Sequence, residues 1–259
     1  RSTSAVARPR RPVALGRWRI AALGYCAAVT GLALGVPLLA LLYWLLRGIS
    51  NGQTLQPIWR AAGNSLLASG LAAGLALAAA LPVALLAVRH PGRLSRLIER
   101  STYIGYGLPG IVVALALVFF GAKYAPTLYQ TMPMLLLAYL VRFLPEAVGS
   151  VRTALLQLNP HVEEAARSLG RRPLGALASV TAPLLRPGML AGAALVFLTA
   201  MKELPATLLL GPTGFTTLAT SIWGATAEAF FARAAAPALL LLLVSSLGLI
   251  VLLSQERTR

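Results

Sequence analysis

A chain of 259 residues that is 58% hydrophobic and carries a formal charge of +16 cannot be an ordinary soluble basic domain. Its 23 Lys and Arg outnumber seven acids, all of them Glu, and cluster in short connections between long apolar runs, which points to an anionic membrane surface and away from nucleic acid. Cys26 is the single cysteine, so a disulfide framework or a cysteine metal cluster within the chain is excluded.

Residues 1–19 carry six arginines with Pro and Ser and read as a basic tail or linker. A hydrocarbon core of about 30 Å needs roughly 20 apolar helical residues. Six such runs are predicted, over 20–46, 64–88, 103–121, 131–145, 189–210 and 236–253. Strands are excluded at that depth, because open edges would leave backbone groups unpaired and the runs lack the alternation of a barrel. The expected fold is therefore an all-α membrane protein of six transmembrane helices. Residues 20–63 hold the first span and its outer loop, 64–253 the main transmembrane domain, and 254–259 a C-terminal end.

Orientation follows from charge. With the N-terminus inside, the tail arginines, Arg89, Arg93, Arg96, Arg100, Arg142, Arg152, Arg167, Arg171, Arg172, Arg186, Arg257 and Arg259 lie on the cytoplasmic side. Arg47, Arg60, Lys123, Lys202 and Arg233 fall on or toward the outer side, so both termini are expected in the cytoplasm. The pairs Gly31 and Gly35, Gly70 and Gly74, and Gly188 and Gly192 each form a small-xxx-small spacing suited to internal helix contacts.

A polar, helix-forming insert interrupts the pattern at about 150–188. Asn159 can cap a helix, Pro160 suits its first position, and Glu163 and Glu164 sit near the positive end of its dipole. Ala165 and Ala166 leave a face of almost no bulk, and Gly170 can adopt the left-handed conformation that ends the helix, with Arg171 and Arg172 following. These features together describe a docking helix. Farther on, Lys202 and Glu203 fall within the fifth span, just before Pro205, where charge costs a few kcal/mol. Two readings stay open for them: a solute path or gate, or a structural ion pair with neighbouring helices.

The insert resembles the EAA loop of binding-protein-dependent ABC importer permeases. Glu164, Ala165, Ala166, Gly170 and Pro183 fall in register with that pattern, while Val180 and Ala182 stand where it usually has Ile and Leu. The stretch Lys202-Glu203-Leu204-Pro205, the run Leu108-Pro109-Gly110 and the run Arg142-Phe143-Leu144-Pro145 look like the ferric-iron branch of the family. Those permeases usually carry two six-helix halves in one chain, and this sequence, with one loop, looks like a C-terminal half.

The resemblance implies a type I importer-like transmembrane domain in a bacterial inner membrane. It implies a cytoplasmic ATPase dimer gripping Glu163, Glu164, Ala165, Ala166, Gly170 and Pro183, with ATP and Mg used by that partner and no cofactor bound by this chain. A periplasmic solute-binding protein and a second six-helix half, in the same or another chain, complete the implied assembly. Ferric iron is the implied solute; thiamine, polyamine, sulfate and molybdate are carried by related branches. The sequence has no phosphate-binding Gly-rich loop, and neither Gly-x-Ser-x-Gly nor His-Glu-x-x-His occurs. With His90 and His161 both in connecting loops, no catalytic or metal site is expected. An ion-coupled carrier is the remaining alternative, kept open by Glu203 and disfavoured by the insert, for which it has no use.

Overall fold

The computed structural model describes residues 16–52 and 58–257, and every regular element among them is helical. Helices α1 (Trp18–Ser50), α2 (Ile58–Arg89), α3 (Arg93–Gly107), α4 (Gly110–Tyr124) and α5 (Met132–Gln157) lead to the insert, α6 (Pro160–Ser168) and α7 (Pro173–Ala176). A π-turn at Leu177–Thr181 then opens α8 (Ala182–Met201), followed by α9 (Pro205–Leu210), α10 (Leu218–Ala227) and α11 (Phe231–Arg257). Two compact units divide between Tyr43 and Trp44. The first contains most of the apolar helix α1; the second contains everything that bears on the sites below. Among the described residues five helices are long and apolar enough to cross a bilayer, six when the bent pair α3–α4 is taken as one span.

In the second unit α5 is the central helix, packed against α2 and α8. Its Leu135, Ala138, Ala147 and Val148 are fully buried, against a stripe of Ala68, Ala72, Ala76 and Ala80 on α2. Small side chains at that spacing let the backbones approach closely where hydrophobicity supplies no drive between helices. Gly188 and Gly192 of α8 do the same on the other side. A Cβ at Gly188 would collide with Ala154, and one at Gly192 would lie 3.1 Å from the Ser150 Cβ. Gly70 and Gly74 do not make the internal contact expected of them, since nothing lies within 4 Å of where their Cβ atoms would be. That face of α2, with Leu67, Leu71 and Leu75, is exposed, as are Leu115 and Phe119 of α4, which suits a hydrocarbon solvent.

Several expected boundaries move. Residues 1–15 of the expected tail lie outside the described residues, and α1 has already begun at Trp18. The second span starts at Ile58 rather than 64, because Asn64 finds a partner, its Nδ2 donating to the Thr216 carbonyl at 2.8 Å. The third span is not the single helix expected over 103–121: the chain bends by 105° between α3 and α4. Pro109 causes this, for it disfavours helical backbone at the preceding residue, and Leu108 is extended at φ −89 and ψ 137.

The fourth span runs through 145 to Gln157 instead of ending there. Pro145 sits inside the helix without an N–H for the Val141 carbonyl, and Gly105 of α3 packs its backbone directly on that freed oxygen. The fifth span, expected as continuous over 189–210, stops at Met201, because Pro205 has no N–H for the carbonyl four residues back and its ring clashes there. The non-spanning insert is consequently shorter than 150–188, covering Leu158 to Ala176. The last helix is longer than 236–253, from Phe231 to Arg257.

Helix α10 has no counterpart among the expected spans. Thr217 and Thr220 cap its start reciprocally, and the Leu218 N–H donates to the Ser65 hydroxyl of α2 at 2.8 Å. On the same side a cavity of about 720 Å³ opens between the end of α1, α10 and the start of α11, with Glu228 and Arg233 in its lining.

Candidate functional site

The insert folds as its residues dictate. Asn159 Oδ1 accepts from the His161 N–H at 3.0 Å, Pro160 occupies the first position of α6, and Gly170 adopts φ +87. The Arg171 N–H then reaches the Ala166 carbonyl at 3.2 Å and the Gly170 N–H the Arg167 carbonyl at 3.0 Å, closing the helix end.

The two adjacent acids part company, since neighbours on a helix point about 100° apart. Glu163 turns inward: its Oε2 lies 3.4 Å from Arg89 Nη2 at the end of α2 and accepts from the Thr181 hydroxyl at 3.4 Å. Glu164 turns outward, 67% exposed, with His161 Nδ1 at 2.9 Å. Ala166 is buried and Ala165 exposed. Beside Gly170, Leu169 is 85% exposed. A leucine that bare at a helix end is a residue the sequence reading missed, although its place between a polar run and a left-handed glycine was a signal. Pro183 lies apart from this face, half-buried in the first turn of α8. Ahead of it the Ala182 N–H bonds to the Leu177 carbonyl, the wider π spacing, which puts Thr181 in reach of Glu163. A cavity of about 730 Å³ lies between the end of α2 and α6, lined in part by Arg89, His90, Glu163 and Leu177.

The second cluster lies halfway along the spans. Glu203, with its side chain 6% exposed, occupies the break between α8 and α9. Its Oε2 accepts from Arg142 Nη1 of α5, and its Oε1 accepts from the Ala206 N–H at 3.2 Å, satisfying one of the orphan donors at the start of α9. Tyr139, one turn before Arg142, sends its hydroxyl to Thr207 Oγ1 at 2.6 Å, and Thr207 donates onward to the Glu203 carbonyl at 2.7 Å. A Cβ on Gly110 would collide with the Arg142 guanidinium, so the bend between α3 and α4 makes room for this charge.

The structure thus separates Lys202 from Glu203. Lys202 is exposed and forms no ion pair among the described residues, while Pro205 begins α9. Arg142 is not one of a set of loop arginines as its place in the charge count implied; it sits mid-helix because Glu203 neutralises it there. Also unforeseen is Glu146, four residues on, which accepts from the Thr199 hydroxyl of α8 at 2.9 Å. No group of three or more His, Cys, Asp or Glu that could hold a metal ion occurs among the described residues.

The model of the family described as "Binding-protein-dependent transport system inner membrane component" matches residues 70–259. The chain belongs to this family of permeases. The permease is a multi-pass inner-membrane protein, the inner-membrane component of a binding-protein-dependent transport system. It is 38% identical over 231 residues to the Fe(3+)-transport system permease protein FbpB 2 of Haemophilus influenzae, a match covering 88% of this chain and 46% of the relative. The permease therefore spans about half the length of that relative. It is 30% identical to the putative 2-aminoethylphosphonate transport system permease protein PhnV of Salmonella typhimurium, over 67% of this chain and 65% of that one. Among solved structures, a chain of a bacterial alginate ABC transporter in complex with an alginate pentasaccharide-bound periplasmic protein shares the fold, with a TM-score of 0.68, 16% identity and 93% of both chains covered.

Proposed function

We propose that the permease forms part of the solute path of an ATP-driven importer, with α6 as the element a separate cytoplasmic ATPase grips. The observation that carries this is the division of labour between neighbouring residues of the insert. Glu163 ties α6 to α2 and to the base of α8, whereas Glu164, Ala165 and the bare Leu169 face out as a small charged and apolar knob. A pull on that knob travels by the π-turn into α8, which ends at Met201 just before the Glu203 that pairs with Arg142 of α5. Alternating access then amounts to two packings of α8 and α9 against α5.

In this reading the insert, both termini and the arginines around Arg89 and Arg171 lie in the cytoplasm, as the positive-inside rule favours. The opposite end, with the cavity between α10 and α11, meets a periplasmic binding protein that delivers the solute. ATP and Mg belong to the partner. A second six-helix half completes the path, supplied by another chain or by a further part of this one. Ferric iron is the solute supported by the Lys202-Glu203-Leu204-Pro205 run and by the 38% identity to an Fe(3+)-transport permease. The likeness to a phosphonate permease supports a phosphonate as the second reading.

Co-purification from membranes tests the docking assignment. Glu164→Lys or Leu169→Asp is expected to remove the ATPase while leaving the permease inserted, and unchanged association of both variants would overturn it. Uptake of radiolabelled ferric iron against labelled aminoethylphosphonate by cells carrying the intact system decides between the two solutes.

A further inference from the structure

Glu146 is an acid inside a membrane-spanning helix whose carboxylate, among the described residues, is hydrogen-bonded by the neutral Thr199 hydroxyl, and that hydroxyl is shared with the Leu195 and Val196 carbonyls of its own helix. An ionisable group in such a place is costly to keep and is ordinarily paired or used. Its position supplies a use. Glu146 lies four residues after Arg142 on α5, the spacing at which side chains on one helix meet. Arg142 in turn holds the ion pair between α5 and the α8–α9 break, and its charge is left bare when the break moves. Its side chain is 22% exposed, so it is not sealed in at Glu203. Glu203 keeps one partner as the break moves, because its other oxygen holds the Ala206 N–H, which belongs to α9 itself.

We propose that Arg142 exchanges carboxylates during the cycle, releasing Glu203 and taking Glu146, so that α9 can leave α5 while the cation stays paired within its own helix. This rests on the transport reading above. Glu146 is thus a positioning residue: it touches no solute and acts by making the released state of Arg142 accessible. In the state described here the exchange stands on the Glu203 side.

The test uses the intact complex of permease, ATPase and binding protein in lipid nanodiscs, in a Cys26→Ser background with spin labels at Leu137 of α5 and Leu208 of α9, both exposed. The parent complex under ATP turnover is expected to show two label separations. Glu146→Gln, which keeps shape and the Thr199 contact but removes the charge, is expected to hold the label pair at the resting separation and to cut uptake about tenfold. Thr199→Val, which removes the contact but keeps the acid, is expected to leave both separations and uptake close to the parent. A Glu146→Gln complex that shows both separations and transports normally overturns the exchange, and so does a Thr199→Val complex that reproduces the Glu146→Gln defect. A parent complex with no ATP-dependent change overturns the transport coupling itself, a result visible before any variant is made.

Discussion

Arg142 and Glu203 are 61 positions apart in the chain and meet at a depth where neither is tolerated alone. Removing one partner of such a pair leaves an uncompensated charge, worth about 3 kcal/mol when fully buried and less here, since Arg142 keeps some exposure. Arg142→Gln and Glu203→Gln are each expected to lower the melting temperature of the detergent-purified protein by several degrees. The double variant is expected to recover most of the loss, because both charges leave together, and an additive double loss would show that the two do not act as a pair. At the insert, Asn159→Ala is expected to weaken α6 by about 1 kcal/mol, seen as faster local hydrogen exchange of the His161 and Val162 amides. The cap, the left-handed glycine and the placing of charge near a helix break were readable from residue types alone. The partner of Glu203 was not, since periodicity locates a charge along one helix and says nothing of which other helix faces it.

Elements show the same division. Apolar length predicted six spans where five described helices are long enough and a sixth needs the bent pair α3–α4, and where α3 bends and α8 stops depended on which proline a neighbour could satisfy. Pro109 and Pro205 break their helices, whereas Pro145 is absorbed because Gly105 covers the carbonyl it frees. The small-xxx-small pairs divide likewise, as equal spacings carry no information about which face is inward. Gly192→Leu is expected to wedge α8 from α5 and make the protein protease-sensitive in membranes. Gly70→Leu, on a face with open space, is expected to leave protease resistance unchanged. Equal sensitivity in the two would show that the α5–α8 contact is not what holds the second unit together.

At the scale of the whole molecule, one end gathers Arg89, Arg93, Arg96, Arg152, Arg167, Arg171 and Arg172, and the other is nearly free of such crowding. Single cysteines at Leu169 and Phe230, in a Cys26→Ser background, are expected to react with a membrane-impermeant thiol reagent from opposite sides of the bilayer. Labelling of Leu169→Cys in intact cells would place the insert outside and reverse the orientation. The bend at Leu108–Pro109 has a consequence for motion at this scale. Helix α4 is about 22 Å long, short of the hydrocarbon thickness, and α9 beside it is shorter still. Their ladders of backbone hydrogen bonds already terminate at the breaks beside Pro109 and Pro205, so this wall is a row of short shutters whose joints exist before anything turns, and tilting one breaks no rung.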